Sequence, residues 1–245
     1  MNMQKGFSLI ELAMVLLIIS LLLGGLLVPL ATQLEARQRN DTQQQLERIR
    51  EALIGFAIVN GRLPFCTSET DPTAAGYGVE DSTCNPADPT LTADNILPWK
   101  TLGLNTGLDP WGVLRTATSD PWLGYWRYRV HSSFSAMSPN LFSLTTDPTS
   151  SNRLCVGEDP DGDGTVNLLV STSETPVAIV YSTGANRTAD GKNATYEATS
   201  ASSNCDTNTP ILYQGGSVSG TFDDITIWLT RPLLFNRMVT VGRLP

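Results

Sequence analysis

The chain has 245 residues, a formal net charge of −8 and a sequence pI near 4.6, so nucleic acid is not expected as a partner. Charged residues make up only 16%, and apolar residues recur to the end of the chain, which argues against a disordered protein. The length leaves room for one sizeable domain after an N-terminal helix.

The first predicted element is an apolar helix over 7–30. Its 24 residues include one charged side chain, Glu11. A helix of that length spans about 36 Å and can cross a bilayer. A carboxylate inside hydrocarbon is costly, so we expect Glu11 to have a partner.

The six residues before this helix, 1–6, contain one Lys and no acid. A secretory signal is normally cut after its apolar region, but here the small residue that permits cleavage, Gly6, stands before it. Cleavage there would leave the helix attached and create an ammonium at Phe7, four residues from Glu11.

Residues 6–11, with the sequence GFSLIE, resemble the processing site of type IV pilins and type II secretion pseudopilins. The resemblance implies that a prepilin peptidase/N-methyltransferase cleaves after Gly6 and methylates Phe7. It implies that Glu11 pairs with the N-terminal ammonium of a neighbouring subunit. The implied partners are other pilin or pseudopilin subunits and an inner-membrane assembly platform. The implied location is the bacterial inner membrane, with a single span and a periplasmic C-terminal domain, and then a periplasmic or extracellular filament.

Residues 31–60 are predicted to continue the helix out of the membrane. Apolar residues recur there at spacings of three and four and form one stripe: Leu46, Ile49, Leu53, Phe56 and Ala57. Glu47 and Glu51 suit the opposite, exposed face. The pair Asn60-Gly61, followed by Pro64, predicts the end of the helix.

Four cysteines in an exported chain indicate disulfides, and three connectivities are open. We favour Cys66–Cys84, which staples a predicted loop over 61–98, and Cys155–Cys205, which would pin two later loops. Zinc is disfavoured because the chain has no CxxC pair and a single histidine, His131.

The segment 99–130 is rich in aromatic residues, and turn signals interrupt it. The tryptophans could form a carbohydrate-binding face, but core packing is favoured because aromatic side chains mainly supply buried area. An alternating strand is predicted over 125–130, and other predicted strands cover 141–144, 168–170, 176–181 and 222–229. A short helix is predicted over 233–241, after Pro232.

Two acidic segments are candidate calcium sites, and calcium is the one cofactor that the sequence suggests. Asp159, Asp161 and Asp163 alternate before a glycine, as at the start of an EF-hand loop, but Val170 stands where the bidentate Glu belongs. The second candidate rests on resemblance. Residues 181–186, the pair Asp190-Gly191 and residues 222–228 look like the C-terminal calcium loop of major pseudopilins. The resemblance implies Asp223 and Asp224 as ligands, with Asn186 and Ser182 as weaker candidates. The long segment 194–220 between them departs from that family's pattern.

The predicted fold is therefore α+β. A long N-terminal helix, membrane-spanning in its lower half, packs on a C-terminal antiparallel sheet with long disulfide-stapled loops. The predicted division is 1–6 leader, 7–30 membrane and assembly helix, 31–60 periplasmic continuation and 61–245 head. No enzymatic activity is expected, because the chain has one histidine and no G-x-S-x-G motif.

The expected function is that of a filament subunit, minor or specialised, in a type II secretion pseudopilus or a type IV pilus. The head has surface that a plain major subunit would not need. The alternative from another class is a membrane-anchored periplasmic binding domain, lectin-like, that does not polymerise.

Overall fold

The computed structural model describes residues 8–84, 96–111, 124–137, 141–148, 153–161, 167–171, 174–194, 211–219 and 221–244, with the backbone alone at 22–31, 194 and 211. The helices are α1 Leu9–Asn60, α2 Ser132–Ser135 and α3 Arg231–Thr240, with a 3-10 helix at Gly191–Ala194. The strands are β1 Arg127–Val130, β2 Leu154–Glu158, β3 Asn167–Leu168, β4 Pro176–Ser182, β5 Ile211–Gln214 and β6 Ile225–Thr230. The chain forms two compact units, Met1–Asn40 and Asp41–Pro245.

The first unit holds the N-terminal part of α1. Its first turn begins after Ser8, whose carbonyl accepts hydrogen bonds from the backbone of Glu11 and Leu12. The apolar side chains over 9–21 are exposed, Leu9 by 88% and Ile10 by 68%. Among the helical residues whose side chains are described, none forms a stretch long and apolar enough to cross a membrane.

In the second unit the end of α1 supplies the core, as the apolar stripe predicts. Four residues of the stripe are at most 2% exposed, and Phe56 is half-buried. The four buried residues share a core cluster with Trp126 and with two residues of β1, Tyr128 and Val130. The helix ends at Asn60 as predicted, because Gly61 takes a φ of +70° and its N–H bonds to the Ala57 carbonyl at 2.8 Å.

The first sheet has the order β1-β4-β6 and is antiparallel throughout. The predicted strand at 176–181 is confirmed in β4, and the predicted terminal helix is confirmed in α3, with Pro232 in its first turn. The alternating strand predicted over 125–130 is wrong in its pattern. All four residues of β1 are buried, because both faces of this strand are covered.

A second sheet, of order β3-β2-β5, corrects the prediction of a single antiparallel sheet. The pairing of β2 with β3 is antiparallel, but β2 and β5 are parallel. The two parallel strands come from separate segments, 131–175 and 183–224, and so long a connection permits parallel pairing. Neither β2 nor β5 was predicted as a strand.

The strand predicted over 141–144 is also wrong, since this segment is irregular. The Arg231 guanidinium donates to the Leu144 carbonyl at 2.6 Å and to the Thr146 carbonyl at 3.0 Å. A side chain therefore satisfies these backbone groups in place of a neighbouring strand. The strand predicted over 168–170 is reduced to the two residues of β3.

The predicted Cys66–Cys84 disulfide is present, with 5.6 Å between the two Cα atoms. A bidentate ion pair holds the same loop, because Nη1 and Nη2 of Arg62 each donate to one carboxylate oxygen of Glu80 at 2.8 Å. Glu80 also accepts the backbone N–H of Phe65 at 3.0 Å. The staple therefore fixes an otherwise irregular loop to the end of α1.

Cys155 is disulfide-bonded and fully buried on β2, and Cys205, its predicted partner, lies outside the described residues. We expect non-reducing peptide mapping of the full chain to link Cys155 to Cys205 and Cys66 to Cys84. Loop closure in the chain-entropy model makes these bonds worth about 4 and 3 kcal/mol. A Cys205→Ser control should release one free thiol, at Cys155. A peptide that links Cys155 to either cysteine of the first pair would contradict the pairing.

The described tryptophans of the aromatic segment are core residues, as the sequence favoured. Trp99, Trp111 and Trp126 are 3%, 7% and 1% exposed. The Trp99 ring stacks on Tyr125 with 5.5 Å between the ring centroids. His131 directly follows β1 and caps α2 by accepting the Ser133 N–H.

Candidate functional site

The candidate site lies where β4 ends and β6 begins. The loop after β4 turns back through Gly184, whose φ is +61°, and reaches the 3-10 helix at Gly191–Ala194. A Cβ on Gly184 would lie 2.4 Å from the Asp223 backbone oxygen, so only glycine permits this approach. The loop is thereby pressed against the two residues that precede β6.

Three carboxylates meet there: Asp190 from the loop, and Asp223 and Asp224 from the two positions before β6. Each offers one oxygen within 4.8 Å of the others. Asp224 is 1% exposed, and Asp190 and Asp223 are half-buried. Three carboxylates that share so small a volume repel one another unless protons or a cation reduce their charge.

Backbone and side-chain amide donors hold one oxygen of Asp223, one oxygen of Asp224 and both oxygens of Asp190. Asp223 Oδ2 accepts the Asn186 N–H at 2.9 Å, and Asp224 Oδ2 accepts the Asp190 N–H at 3.0 Å. Asp190 accepts the Asn186 side-chain amide at 2.9 and 3.0 Å, and its Oδ2 also accepts the Asp223 N–H at 3.0 Å. These bonds fix the orientation of all three carboxylates.

Two buried oxygens remain. Asp223 Oδ1 and Asp224 Oδ1 have no hydrogen-bond partner within the described residues. A buried polar atom without a partner is costly, and a hard cation prefers carboxylate oxygen ligands. With Asp190, these residues could hold calcium, and the donor set fits that ion.

The electrostatics of the ion-free site favour protonation. Burial raises the pKa of Asp224 to about 8, and the neighbouring Asp190 and Asp223 carboxyls act in the same direction, against the hydrogen bond from Asn193. Burial also raises the pKa of Asp223, again with a contribution from Asp190. A bound cation would reverse both shifts by stabilising the ionised carboxylates.

The structure brings together the predicted residues Asp223, Asp224 and Asn186, and it adds Asp190, which the sequence did not single out as a ligand. Ser182 points elsewhere, because its hydroxyl donates to Asp109 at 2.5 Å. Burial raises the pKa of Asp109 to about 6, against this hydrogen bond and the charges of Arg127 and Arg187.

The other acidic segment, with Asp159, Asp161 and Asp163, is described only in part. Asp159 is half-buried and Asp161 is exposed, and Asp163 lies outside the described residues. Within the described part of the chain, the group of three acidic side chains that could hold an ion is the one beside β6. The calcium site predicted at Asp159, Asp161 and Asp163 stays a prediction.

At the N terminus, Glu11 lies in the first turn of α1 with an exposed side chain. Gly6 and Phe7, the predicted processing residues, lie outside the described residues. Cleavage after Gly6 and methylation of Phe7 therefore stay predictions from the sequence, in which Phe7 stands four residues before Glu11.

Comparison with known proteins gives one family result. A protein-family model described as Prokaryotic N-terminal methylation motif matches residues 1–27. Neither the curated proteins nor the solved structures include a significant match to the chain. The match covers the short leader, Gly6, Phe7, Glu11 and most of the apolar run, and so confirms the resemblance noted from the sequence. The chain therefore carries at its N terminus the processing and methylation signal of type IV pilin and pseudopilin precursors.

Proposed function

We propose that this chain is a filament subunit, cleaved after Gly6 and N-methylated at Phe7, in a type II secretion pseudopilus or a type IV pilus. The methylation motif over 1–27 is the observation that carries the proposal. That motif points to a structural subunit rather than an enzyme. Its partners are other pilin-type subunits, the prepilin peptidase and an inner-membrane assembly platform.

The apolar run 7–30 anchors the subunit in the inner membrane before assembly. The exposed side chains over 9–21 support this role, because an unpartnered apolar helix of this kind requires lipid or neighbouring helices. In a filament, like helices would bury the same surface again. The ammonium of Phe7 and the carboxylate of Glu11 then fix the register between neighbouring subunits.

The architecture of the head supports the proposal that the subunit is minor or specialised. Its second sheet consists of β2 and β3 from one segment and β5 from another, and a plain major subunit would not require it. The buried positions of Trp99, Trp111 and Trp126 leave these three residues unsuited to a carbohydrate-binding face, the basis of the lectin-like alternative.

We further propose that calcium binds at Asp190, Asp223 and Asp224. The two partnerless carboxylate oxygens support this site, and a bound ion would supply the positive charge that stabilises three adjoining carboxylates. An ion there would fasten the loop after β4 to the start of β6 and so stabilise the head for assembly.

Mass spectrometry of the protein extracted from membranes tests the processing step. We expect a mature chain that begins at a methylated Phe7, because the proposed cleavage breaks the bond after Gly6. A Gly6→Leu variant should keep its leader, while a Lys5→Arg variant, which conserves the leader charge, should be processed normally. A mature chain that still begins at Met1 would overturn the pilin proposal.

Co-purification then separates a subunit from a non-polymerising binding domain. A subunit should be recovered with filament components after gentle shearing or cross-linking in the membrane. Recovery of the processed chain alone, under conditions that recover the other subunits together, would favour the binding-domain alternative.

A further inference from the structure

We infer that Asn193 is a positioning residue that couples the proposed calcium site to strand β5, so that ion binding and docking of the second sheet strengthen each other. The inference rests on the calcium site proposed above and extends it to a part of the head that supplies no ligand. Asn193 lies in the 3-10 helix Gly191–Ala194, between the ion-binding loop and β5.

Asn193 is fully buried and uses both ends of its amide. Its Oδ1 accepts the backbone N–H of Gln214 at 2.7 Å, and its Nδ2 donates to the Gln214 carbonyl at 3.0 Å. The same Nδ2 donates to Asp224 Oδ2 at 2.8 Å. One side chain therefore pairs with the last residue of β5 as a strand would, and also holds a candidate ligand.

The bond to Asp224 determines which oxygen remains for an ion. Asp224 Oδ2 accepts two hydrogen bonds, from Asn193 Nδ2 and from the Asp190 backbone. Asp224 Oδ1, in contrast, is buried and has no partner within the described residues. Asn193 thus helps to occupy Oδ2 and leaves Oδ1 as the oxygen of Asp224 that is free to bind an ion.

The 3-10 helix contacts β5 through its backbone as well. Lys192 N–H donates to Gln214 Oε1 at 3.1 Å. Gly191 has a φ of +53°, which favours glycine, and a Cβ added there would displace the Gln214 side chain, because it would lie 2.0 Å from the same Oε1. Gln214 is therefore held by both its main chain and its side chain against the segment that follows Asp190.

β5 transmits this link to the second sheet, because it pairs in parallel with β2. If a bound ion orders Asp224 and the loop, it also orders Asn193 and hence the pairing with Gln214. Thermodynamic linkage makes this coupling reciprocal. The factor by which the bound ion strengthens docking of β5 is also the factor by which docked β5 strengthens ion binding.

Hydrogen exchange of the full-length chain in detergent, with calcium and with chelator, tests the coupling without any substitution. We expect calcium to slow exchange in the peptide that contains 212–214 by about tenfold, as a coupling of this kind commonly gives. Isothermal titration with calcium should show that Asn193→Ala lowers affinity by about 10- to 100-fold, as is usual for residues that orient ligands. In that variant, exchange of 212–214 should no longer depend on calcium.

Thr226→Val is the matched control. Thr226 Oγ1 donates to the same Gln214 carbonyl at 2.9 Å but is not bonded to Asp224. This variant should raise exchange of 212–214 with and without calcium alike and leave calcium affinity within about threefold of wild type, since no ligand loses its orientation. An Asn193→Ala variant that behaves in the same way would overturn the coupling and leave Asn193 a structural residue.

The two proposals fail differently. If the wild-type chain binds no calcium, both the site and the coupling are wrong. If it binds calcium and loses it in Asp224→Asn, but exchange of 212–214 does not respond to the ion, the site stands and the coupling is overturned. Native tryptophan fluorescence of each variant establishes that its head is folded before either comparison.

Discussion

Glu11→Val is expected to leave processed protein in the inner membrane and to lower its incorporation into filaments by about tenfold or more. The substitution leaves the Phe7 ammonium without its partner at the assembly interface. An unpaired charge in hydrocarbon costs about 2.5–3.5 kcal/mol on the mildest scales, and each 1.4 kcal/mol is a factor of ten. Methylation does not remove this charge, so it cannot compensate.

Insertion and cleavage should continue in this variant. Valine makes the helix more apolar, which favours insertion. The proposed cleavage breaks the bond after Gly6, which does not involve residue 11. The measurement is quantitative immunoblotting of sheared filaments against membrane fractions, with the N terminus of each pool determined by mass spectrometry. Glu11→Gln, which keeps the size of the side chain and removes its charge, should show the same defect.

Ser20→Val provides a matched control on the same helix. Ser20 donates only to the Leu16 carbonyl within the helix, at 2.8 Å, so its replacement raises hydrophobicity without a change of charge. This control should assemble normally. If Glu11→Val assembled as well as the control, the role in register that we assign to Glu11 would be incorrect. A subunit at the filament tip has neighbours on one side only. In that position Glu11→Val would reduce incorporation by a smaller but still measurable factor.

The parts of the fold that the sequence predicts well are those with local signals. The apolar stripe of α1 has helical spacing over about three turns, and Asn60-Gly61 predicts the end of the helix. The structure confirms both predictions. β4 is a β-branched run bounded by turn residues, and α3 begins with a proline in its first turn. These signals need no knowledge of distant residues.

The second sheet has no such signal. β5 is a run of four residues, too short for periodicity to separate a strand from other structures. β2 contains a glycine, which weakens its strand pattern, and its parallel partner lies more than fifty residues away in sequence. These strands exist because they pack with each other and with the first sheet, and no local window contains that information.

The candidate site likewise combines residues that the sequence predicts with residues that only tertiary contacts bring in. The adjacent pair Asp223-Asp224 was found by resemblance, as was Asn186. Asp190 enters the site because Gly184 lets the loop approach Asp223, and Asn193 enters because it bonds to Gln214. Those contacts depend on tertiary structure. The segment 194–220 departs from the pseudopilin pattern, and yet its strand β5 contacts the 3-10 helix beside the site.

The second large effect concerns pH in the absence of the ion. We expect the head of the full-length chain, kept in chelator, to lose about 2 kcal/mol of stability between pH 6 and pH 8, which lowers its Tm by about 4–8 °C. The pKa of Asp224 is about 8 in the fold, against an ordinary value of 3.8. Between these values the folded chain holds a proton that the unfolded chain releases, so the free energy of unfolding falls as the pH rises.

Tryptophan fluorescence can follow this transition specifically. All five tryptophans of the chain lie between 99 and 228, within the head. Asp109 contributes to the same trend at lower pH, since its pKa is about 6, so the window from pH 6 to pH 8 reports mainly on Asp224. Calcium at a hundred times its Kd should add about 2.7 kcal/mol at pH 8 and less at pH 6, because bound carboxylates must be ionised.

Asp224→Asn distinguishes this mechanism from a general effect of pH. Its amide oxygen can accept the bonds from Asn193 and from the Asp190 backbone, so the residue imitates the protonated acid. Without calcium, this variant should be as stable at pH 8 as at pH 6, and more stable than wild type at pH 8. It should gain nothing from calcium, because it lacks the ionised oxygen. If wild type and variant showed the same decline between pH 6 and pH 8, the buried carboxyl would not be its source. If calcium stabilised both equally, the ion would bind at another site.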